Sequence, residues 1–274
     1  MPPLTVTPPR FSRLLLTGAA GGLGRELRTR LKAYCDVLRL SDIAELGPAA
    51  PGEELMPAAL QDKAAVDRLL HAVDAVVHLG GVSTEKSFED ILPANIQGVY
   101  HLYEAARRHG VARIVFASSN HVTGFYRQNE VVSPRDPMRP DGYYGLSKAF
   151  GENLAQFYWD RFGIETVSIR IGSSFPEPRD RRMLASWMSY DDLERLVMAS
   201  LTAPVVGHSV IYGMSDNATT WWDNTSARHI GYRPVDSSER FRAQVQARQP
   251  VLDRNDPAVA FQGGVFVKQG PFES

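Results

Sequence analysis

Short apolar runs rich in β-branched residues alternate along this chain with longer segments of helical periodicity. The runs predict strands buried in a parallel sheet, because each run is apolar on both of its faces. We place strands at 13–17, 37–40, 75–79, 113–117 and 166–170. We place helices between them at 23–32, 62–70, 91–108 and 147–161. This order predicts an α/β fold with a doubly wound parallel sheet, in which helices cover both faces.

The composition and charge of the chain argue against several classes of protein. The chain has 274 residues, 43% of them hydrophobic, and a formal net charge of −1, so it offers no basic field for a nucleic acid. It lacks the 18 consecutive apolar residues of a membrane span, and its proline-rich start at 1–9 lacks the apolar stretch of a secretory signal. We therefore expect a cytoplasmic globular enzyme with a short flexible leader, no nucleic-acid partner and no membrane contact.

Metal and disulfide chemistry are not predicted. The single cysteine, Cys35, cannot form an internal disulfide, and its burial as a small apolar side chain is the expected outcome. The seven histidines show no close metal-ligand spacing. We predict no metal site.

A glycine-rich segment, Thr17-Gly18-Ala19-Ala20-Gly21-Gly22-Leu23-Gly24, joins the first predicted strand to the first predicted helix. Glycines at these intervals allow a tight turn, close approach of the backbone to a pyrophosphate and close packing of the helix on the strand. The N-terminus of the helix favours the phosphate charge. In this context the segment predicts a dinucleotide site rather than an ordinary turn.

An acidic residue is expected at the end of the second strand if the ribose hydroxyls of NAD are bound there, and Asp42 occupies that place. Its neighbours Ser41 and Ile43 offer no cation for the 2′-phosphate of NADP, so NAD is favoured. Arg39, slightly upstream, keeps NADP open as an alternative.

Tyr144 and Lys148 lie four residues apart at the start of a predicted helix and therefore share one of its faces. An ammonium beside a phenol favours the phenolate, so we expect Lys148 to lower the pKa of Tyr144 from about 10 toward neutrality. Such a tyrosine can remove a hydroxyl proton as hydride leaves. Ser119, at the end of the fourth strand, supplies a hydroxyl to orient the reacting oxygen.

Together these residues resemble the extended short-chain dehydrogenase/reductase superfamily, which includes the NAD-dependent epimerases. The stretches 116–121, 139–145, 170–173, 176–178, 182–184, 221–224 and 261–264 are similar to a narrower family within it, the uronate dehydrogenases. That resemblance implies oxidation of a hexuronic acid, glucuronate or galacturonate, at C1, which yields the aldarolactone and NADH. The implied partners are the small-molecule uronate and further copies of the chain in a homo-oligomer.

The resemblance also implies a role for each site residue. Tyr144 takes the C1 hydroxyl proton, Lys148 holds the nicotinamide ribose, and Ser119 binds the reacting oxygen. Cofactor contacts are implied at Gly18, Gly21, Gly22, Leu23, Gly24, Asp42, Ile43, Leu60, Leu79, Gly80, Gly81, Val82, Asn95 and Lys148. Substrate contacts are implied at Ser83, Ser119, Asn120, His121, Tyr144, Ser173 and Arg182.

At one of these positions the resemblance leaves alternatives open, and at a further position the chain departs from the family pattern. Arg182 is expected to pair with the substrate carboxylate through its guanidinium, with Arg179 and Arg181 as competing choices. Ala59 departs from the family pattern, which has an aspartate there, so one hydrogen bond to the adenine is expected to be missing.

The strand and helix pattern breaks after Gly172, at 173–179. We predict a Rossmann core at 1–172 that binds NAD and carries the serine, tyrosine and lysine, and a small substrate-binding part at 173–274 that does not fold independently. In that part we expect shorter elements, a late strand at 210–212 and an irregular tail from 250 to 274.

Two other functions remain open from the sequence. One is a sugar-nucleotide epimerase or dehydratase of the same superfamily, which would need a larger C-terminal part. The other is a protein that senses NAD without catalysis, which would not need the intact Ser119, Tyr144 and Lys148.

Overall fold

The computed structural model describes residues 10–249, 252–270 and 272, so the predicted leader at 1–9 lies outside the described residues. Within the described part, seven strands form one parallel sheet in the order β3-β2-β1-β4-β5-β6-β7. They are β1 (Phe11–Thr17), β2 (Cys35–Ser41), β3 (Glu53–Leu55), β4 (Ala75–His78), β5 (Arg113–Ser119), β6 (Glu165–Ile171) and β7 (His208–Gly213). The strand order reverses between β1 and β4, which opens a crevice at the carboxyl edge of the sheet.

Helices cover both faces of this sheet. They are α1 (Gly22–Leu31), α2 (Lys63–Leu69), α3 (Phe88–Ile91), α4 (Gly98–His109), α5 (Tyr143–Phe162), α6 (Met183–Ser186), α7 (Tyr190–Thr202), α8 (Arg242–Arg248) and α9 (Pro257–Ala260). A π-helical segment, Leu92–Gln97, joins α3 to α4. Leu14 and Leu16 of β1 pack in the apolar cluster with α1 and α7, whereas Leu15 packs in the cluster with α2, α4 and α5. Successive strand residues thus serve opposite layers.

The predicted doubly wound α/β fold is confirmed, but three elements differ from the prediction. Strand β3 was not predicted, because Glu53-Glu54-Leu55 is a short polar edge strand without an apolar run. Only shorter elements were expected after 173, yet α7 has 13 residues and is capped by the Ser189 hydroxyl, which accepts from the Asp192 amide at 2.9 Å. Helix α5 begins at Tyr143, four residues before the predicted start.

The chain after Gly172 continues the same architecture. The predicted late strand is present as β7, which pairs with β6 at the edge of the sheet. The prediction of a wholly irregular tail is wrong, because α9 and a 3-10 helix at Gly264–Lys268 lie within it. The division into two parts at residue 172 stays a prediction.

A buried ion pair joins α5 to β6. Arg170 donates to both carboxylate oxygens of Glu152, at 2.9 and 2.8 Å, and the two side chains are almost completely buried. Ser118 also donates to Glu152, at 2.5 Å. Tyr144 lies roughly two helical turns before Glu152 on the same helix. The pair therefore fixes the helix that carries the predicted catalytic tyrosine.

Substitution of Glu152 by Gln leaves the Arg170 charge buried without its counter-ion. We expect Glu152→Gln to lower the free energy of unfolding by about 3 kcal/mol. The matched control is Glu177→Gln, which removes an exposed pair with Arg248 and is expected to change little. Urea denaturation measures both. Equal stabilities for the two variants would contradict a structural role for the buried pair.

Candidate active site

The crevice between β1 and β4 opens into a cavity of about 1400 Å³ at the carboxyl edge of the sheet. Five strand ends meet there, because parallel strands present the same end to one edge. All of the predicted site residues except Asn95 line this cavity. The structure therefore brings together residues that are up to 164 positions apart, from Gly18 to Arg182.

Asn95 lies behind the cavity rather than in its wall. Its side-chain oxygen accepts from the Val82 amide at 2.8 Å, and its nitrogen donates to the Val82 carbonyl at 2.9 Å and to Ser147 Oγ at 3.0 Å. Asn95 is not among the residues that line the cavity, and its implied contact with the cofactor stays a prediction. Through Ser147, Asn95 is joined to the helix that carries Tyr144.

The glycine-rich loop has the shape that a pyrophosphate needs. Gly18 has a φ of +70°, and a Cβ there would lie 2.7 Å from the carbonyl carbon of Leu79. A Cβ on Gly24 would lie 2.0 Å from the Gly18 oxygen, so only glycine lets α1 approach the loop. Around Gly22 a Cβ would meet nothing within 4 Å. The N-terminus of α1 therefore faces open space, and the residues fit a dinucleotide phosphate.

Arg39 in β2 and Asp42 just after it bear on the choice between NAD and NADP. Arg39 is buried and points away from the cavity, where it donates to Glu54 Oε2 at 2.9 Å and to the carbonyls of Leu69 and His71 at 2.7 and 2.8 Å. It is therefore not available for a 2′-phosphate. Asp42 lines the cavity, and its carboxylate accepts from the Ala20 amide at 2.9 Å. An anionic carboxylate at this position fits ribose hydroxyls and repels a phosphate.

Tyr144 and Lys148 are both buried at the base of the cavity. Burial raises the pKa of Tyr144 to about 12, although a hydrogen bond with Ser119 lowers it and the charge of Asp141 raises it further. The ammonium of Lys148 donates to the Ala117 carbonyl at 2.8 Å and lies 5.7 Å from the centre of the Tyr144 ring. The prediction of a tyrosine pKa near neutrality is wrong for the protein alone, because desolvation by burial is the largest effect on the pKa of Tyr144.

At the other end of the cavity, Arg182 is held by neutral groups. Its Nε donates to the Gln262 carbonyl at 2.5 Å, and its Nη1 lies 3.4 Å from Ser173 Oγ. The Asn120 amide accepts from Arg182 Nη2 at 2.8 Å and donates to the Ile171 carbonyl at 3.0 Å. Burial lowers the pKa of Arg182. Within the described part of the chain no carboxylate pairs with Arg182, so its charge is left for a ligand.

The two competing arginines are placed differently. Arg179 is exposed, and its guanidinium stacks over Phe175 at 3.8 Å from the ring centre. Arg181 donates through Nε to the Gln249 carbonyl at 2.5 Å. These contacts direct Arg179 to the surface and Arg181 to the segment after α8. Of the three arginines, Arg182 is the one held next to Asn120 and Ser173.

Three residues at the site were not predicted. The Asp141 carboxylate lies 2.7 Å from His121 Nδ1, and the Phe266 ring stacks on the His121 ring with centres 3.8 Å apart. The Glu85 carboxylate accepts from the backbone amides of Tyr143 and Tyr144, both at 2.8 Å, and so caps the N-terminus of α5. The stretch 139–145 contained Asp141 as a signal, but no pattern marked Glu85 or Phe266.

The described residues offer neither a metal-ligand cluster nor a membrane-spanning helix. No group of three or more histidine, cysteine, aspartate or glutamate side chains could hold a metal ion. None of the described helices combines the length and apolar character needed to cross a membrane.

The fold and the site define an oxidoreductase of the short-chain dehydrogenase class: a dinucleotide crevice with a serine, a tyrosine and a lysine at its base. More particularly, the chain belongs to the NAD dependent epimerase/dehydratase family, whose profile matches residues 14–198. Within that family its relatives include several uronate dehydrogenases at 51–61% identity. The uronate dehydrogenase of Pseudomonas putida is 61% identical, with 98% of this chain and 100% of the relative covered.

Two solved structures extend this similarity to the fold. A glucuronic acid dehydrogenase from Chromohalobacter salexigens is 49% identical, with a TM-score of 0.94 and with 95% of this chain and 98% of that chain covered. A mutant uronate dehydrogenase from Agrobacterium tumefaciens, complexed with NAD, is 50% identical, with a TM-score of 0.94 and with 96% and 99% covered. The predicted membership of the uronate dehydrogenase group is confirmed.

The buried lysine makes the stability of the site depend on pH. Burial lowers the pKa of Lys148 from 10.5 to about 8, because the charged form is desolvated. Below pH 8 the lysine is charged in the folded and unfolded states, so folding bears the full cost of burying the charge. That cost shrinks between pH 8 and 10.5, where the folded protein binds fewer protons than the unfolded chain.

We therefore expect Lys148→Met to raise the free energy of unfolding by about 1–2 kcal/mol at pH 7, after the loss of the Ala117 hydrogen bond is included. The gain should decrease as the pH rises toward 10. Urea denaturation at several pH values measures it, and exposed Lys86→Met is the matched control. A Lys148→Met variant that is less stable than the parent at every pH would contradict the desolvation cost.

Proposed function

We propose that this chain oxidises a hexuronic acid, glucuronate or galacturonate, at C1 with NAD, and that it forms the aldarolactone and NADH. The observation that carries the proposal is Arg182, a cation without a carboxylate partner in the described chain, in the same cavity as Tyr144, Lys148 and Ser119. A neutral sugar would leave this charge unpaired in a buried place, at a cost of several kcal/mol. The names of the relatives agree with a uronate substrate.

The catalytic residues divide the proton chemistry among them. Ser119 donates a hydrogen bond to the C1 oxygen of the sugar and orients it toward Tyr144. The phenolate oxygen of Tyr144 accepts the C1 hydroxyl proton, which places the electron pair on the sugar oxygen and releases the hydride from carbon. NAD, when bound, accepts that hydride. Lys148 binds the ribose hydroxyls, and its positive charge favours the phenolate at the moment of transfer.

The cavity of the protein alone keeps Tyr144 protonated, because its pKa is raised to about 12. A positive charge placed next to the phenol favours the phenolate. The oxidised nicotinamide ring carries such a charge, and Leu79, Gly80 and Lys148 line the part of the cavity that would hold it. We infer that Tyr144 becomes an effective base when the oxidised cofactor is bound.

The substrate carboxylate is assigned to Arg182. Guanidinium and carboxylate form two parallel, charge-assisted hydrogen bonds. Asn120, Ser173 and Gln262 hold the arginine in place through neutral oxygens, so they orient it without neutralising it. Asn120, His121, Ser83 and Ser173 supply the polar groups for the sugar hydroxyls.

The two alternative functions have less support. An epimerase or dehydratase acting on a sugar nucleotide is less favoured, because the relative from P. putida that this chain matches at 61% identity over its whole length is a uronate dehydrogenase. A protein that senses NAD without catalysis has no use for Ser119, Tyr144 and Lys148 in one cavity with Arg182.

We further propose that the enzyme works in the cytoplasm as a homo-oligomer. Its single cysteine, Cys35, is free and buried, which suits a reducing compartment. Exposed apolar side chains on α4 and α5 offer a surface for contact between copies: Tyr100, Leu146, Phe157 and Phe162. Light scattering after size exclusion would measure the number of copies.

The central experiment mixes the purified protein with NAD and with glucuronate or galacturonate and follows the absorbance of NADH. We expect turnover with at least one of the acids. We expect Tyr144→Phe to lower kcat by about 10²–10⁴-fold while NAD binding stays close to that of the parent, because only the hydroxyl is removed. No NADH with either acid would overturn the substrate assignment, and retained turnover in Tyr144→Phe would overturn the proposed base.

Three matched variants test the carboxylate clamp. We expect Arg182→Ala to raise KM for the uronate by about 10–100-fold, the value of a hydrogen-bonded pair of charges, with little change in KM for NAD. Arg179→Ala and Arg181→Ala serve as controls and are expected to change KM for the uronate much less. A larger effect in either control than in Arg182→Ala would move the clamp to that arginine.

A further inference from the structure

Asp141 is a fully buried carboxylate next to the candidate active site. A Cβ on Gly124 or on Gly263 would lie 1.9 Å from its Oδ2, and a Cβ on Gly145 would lie 3.1 Å from its Oδ1. Three glycines from three segments therefore leave space for this one carboxylate. Burying an ionised carboxyl group costs several kcal/mol unless it is paired, so stability alone does not explain the residue.

The partner of this carboxylate is His121. Its Nδ1 lies 2.7 Å from Asp141 Oδ2, and Oδ1 has no hydrogen-bond partner within the described residues. Phe266, from the C-terminal tail, stacks on the imidazole with the two ring planes inclined by 22°. The backbone amide of His121 donates to Ser119 Oγ at 3.2 Å. The ring is thus held at its Nδ1 edge and on one face, and it has little rotational freedom.

The position of the ring relates it to the reaction. The His121 ring lines the cavity, and its centre lies 5.8 Å from the centre of the Tyr144 ring. A carboxylate at Nδ1 holds a proton on that nitrogen, so the other nitrogen, Nε2, is left for a ligand. Without a carboxylate the imidazole could carry its proton on either nitrogen, and half of its hydrogen-bonding states would not match a given sugar hydroxyl.

We propose that Asp141 is a positioning residue for uronate oxidation: it fixes the tautomer and the orientation of His121, so that Nε2 faces the sugar. The inference rests on the proposed function and adds Asp141 to the site. Asp141 acts through His121 and does not touch the reacting atoms. Its length matters as well, because the glycine cradle has no room for the additional methylene of a glutamate.

The charge of Asp141 explains why the pairing with His121 is needed. The carboxylate raises the pKa of Tyr144, which opposes the formation of the phenolate. It also raises the pKa of Arg182 and so favours the charged guanidinium. A hydrogen bond from the imidazole withdraws part of the negative charge from the carboxylate. Asp141 can therefore orient His121 and support Arg182 at a reduced cost to the base.

A double-mutant cycle tests whether Asp141 acts through His121. We expect Asp141→Asn to lower kcat/KM for the uronate by about tenfold or more, with the dissociation constant for NAD unchanged. In a His121→Gln background the same substitution should change kcat/KM by less than about twofold. If the losses from the two substitutions multiply in the double variant, Asp141 acts independently of His121 and the proposal is overturned.

A second measurement does not depend on activity. Nitrogen-15 NMR of the imidazole side chains in the unsubstituted protein reports which ring nitrogen carries the proton, and the signals missing in His121→Gln identify His121. We expect the proton of neutral His121 on Nδ1, and a proton on Nε2 instead would overturn the inference. If the protein oxidises neither uronate, the proposed function fails, while this spectrum still decides the role of Asp141 toward His121.

Discussion

The reversal of strand order between β1 and β4 is the constraint on which the site depends. On either side of this point the crossover helices lie on opposite faces of the sheet, so no helix covers the carboxyl ends of the central strands. Thr17, Ser119 and Ile171 end three strands, and the loops that follow them form the cavity wall. Each loop begins at the end of a buried strand. The backbone therefore sets the positions of the catalytic groups more firmly than loop contacts alone could.

The same burial sets the electrostatics. Tyr144 and Lys148 are both shifted toward their neutral forms, to pKa values of about 12 and 8. Burial makes the charged forms of these two side chains unfavourable. Ligands of opposite charge that bind together reduce this desolvation cost. A cationic nicotinamide and an anionic uronate are such a pair. The fold keeps both side chains buried by fixing α5 at its N-terminus through Glu85 and near its middle through the Glu152–Arg170 pair.

Local signals predicted most of the sheet: apolar runs, glycine spacing and residues four apart on a helix. With the resemblance they also gave a set of site residues of which all but Asn95 line the cavity, although many other lining residues, such as Phe175 and Tyr190, were not predicted. The differences arise where a long-range contact decides the outcome. Strand β3 forms because β2 offers it an edge, although Glu53 and Glu54 are polar. The resemblance implied a cofactor contact for Asn95, but a resemblance does not show how deeply a side chain is buried. The raised pKa of Tyr144 depends on burial, which the proximity of Lys148 in the sequence did not show.

The C-terminal tail shows most clearly what a sequence pattern omits. Residues near 264 have no helical or strand periodicity, and the prediction was an irregular tail. In the structure, Gln262 accepts from Arg182, Gly263 packs against Asp141, and Phe266 covers His121. Each of these contacts joins the tail to a residue at the sugar end of the cavity, and none joins it to the glycine-rich loop. The tail therefore shapes the part of the cavity that we assign to the sugar, while the sheet shapes the part that we assign to the cofactor. A change of sugar specificity can arise in the tail without disturbing the binding of NAD.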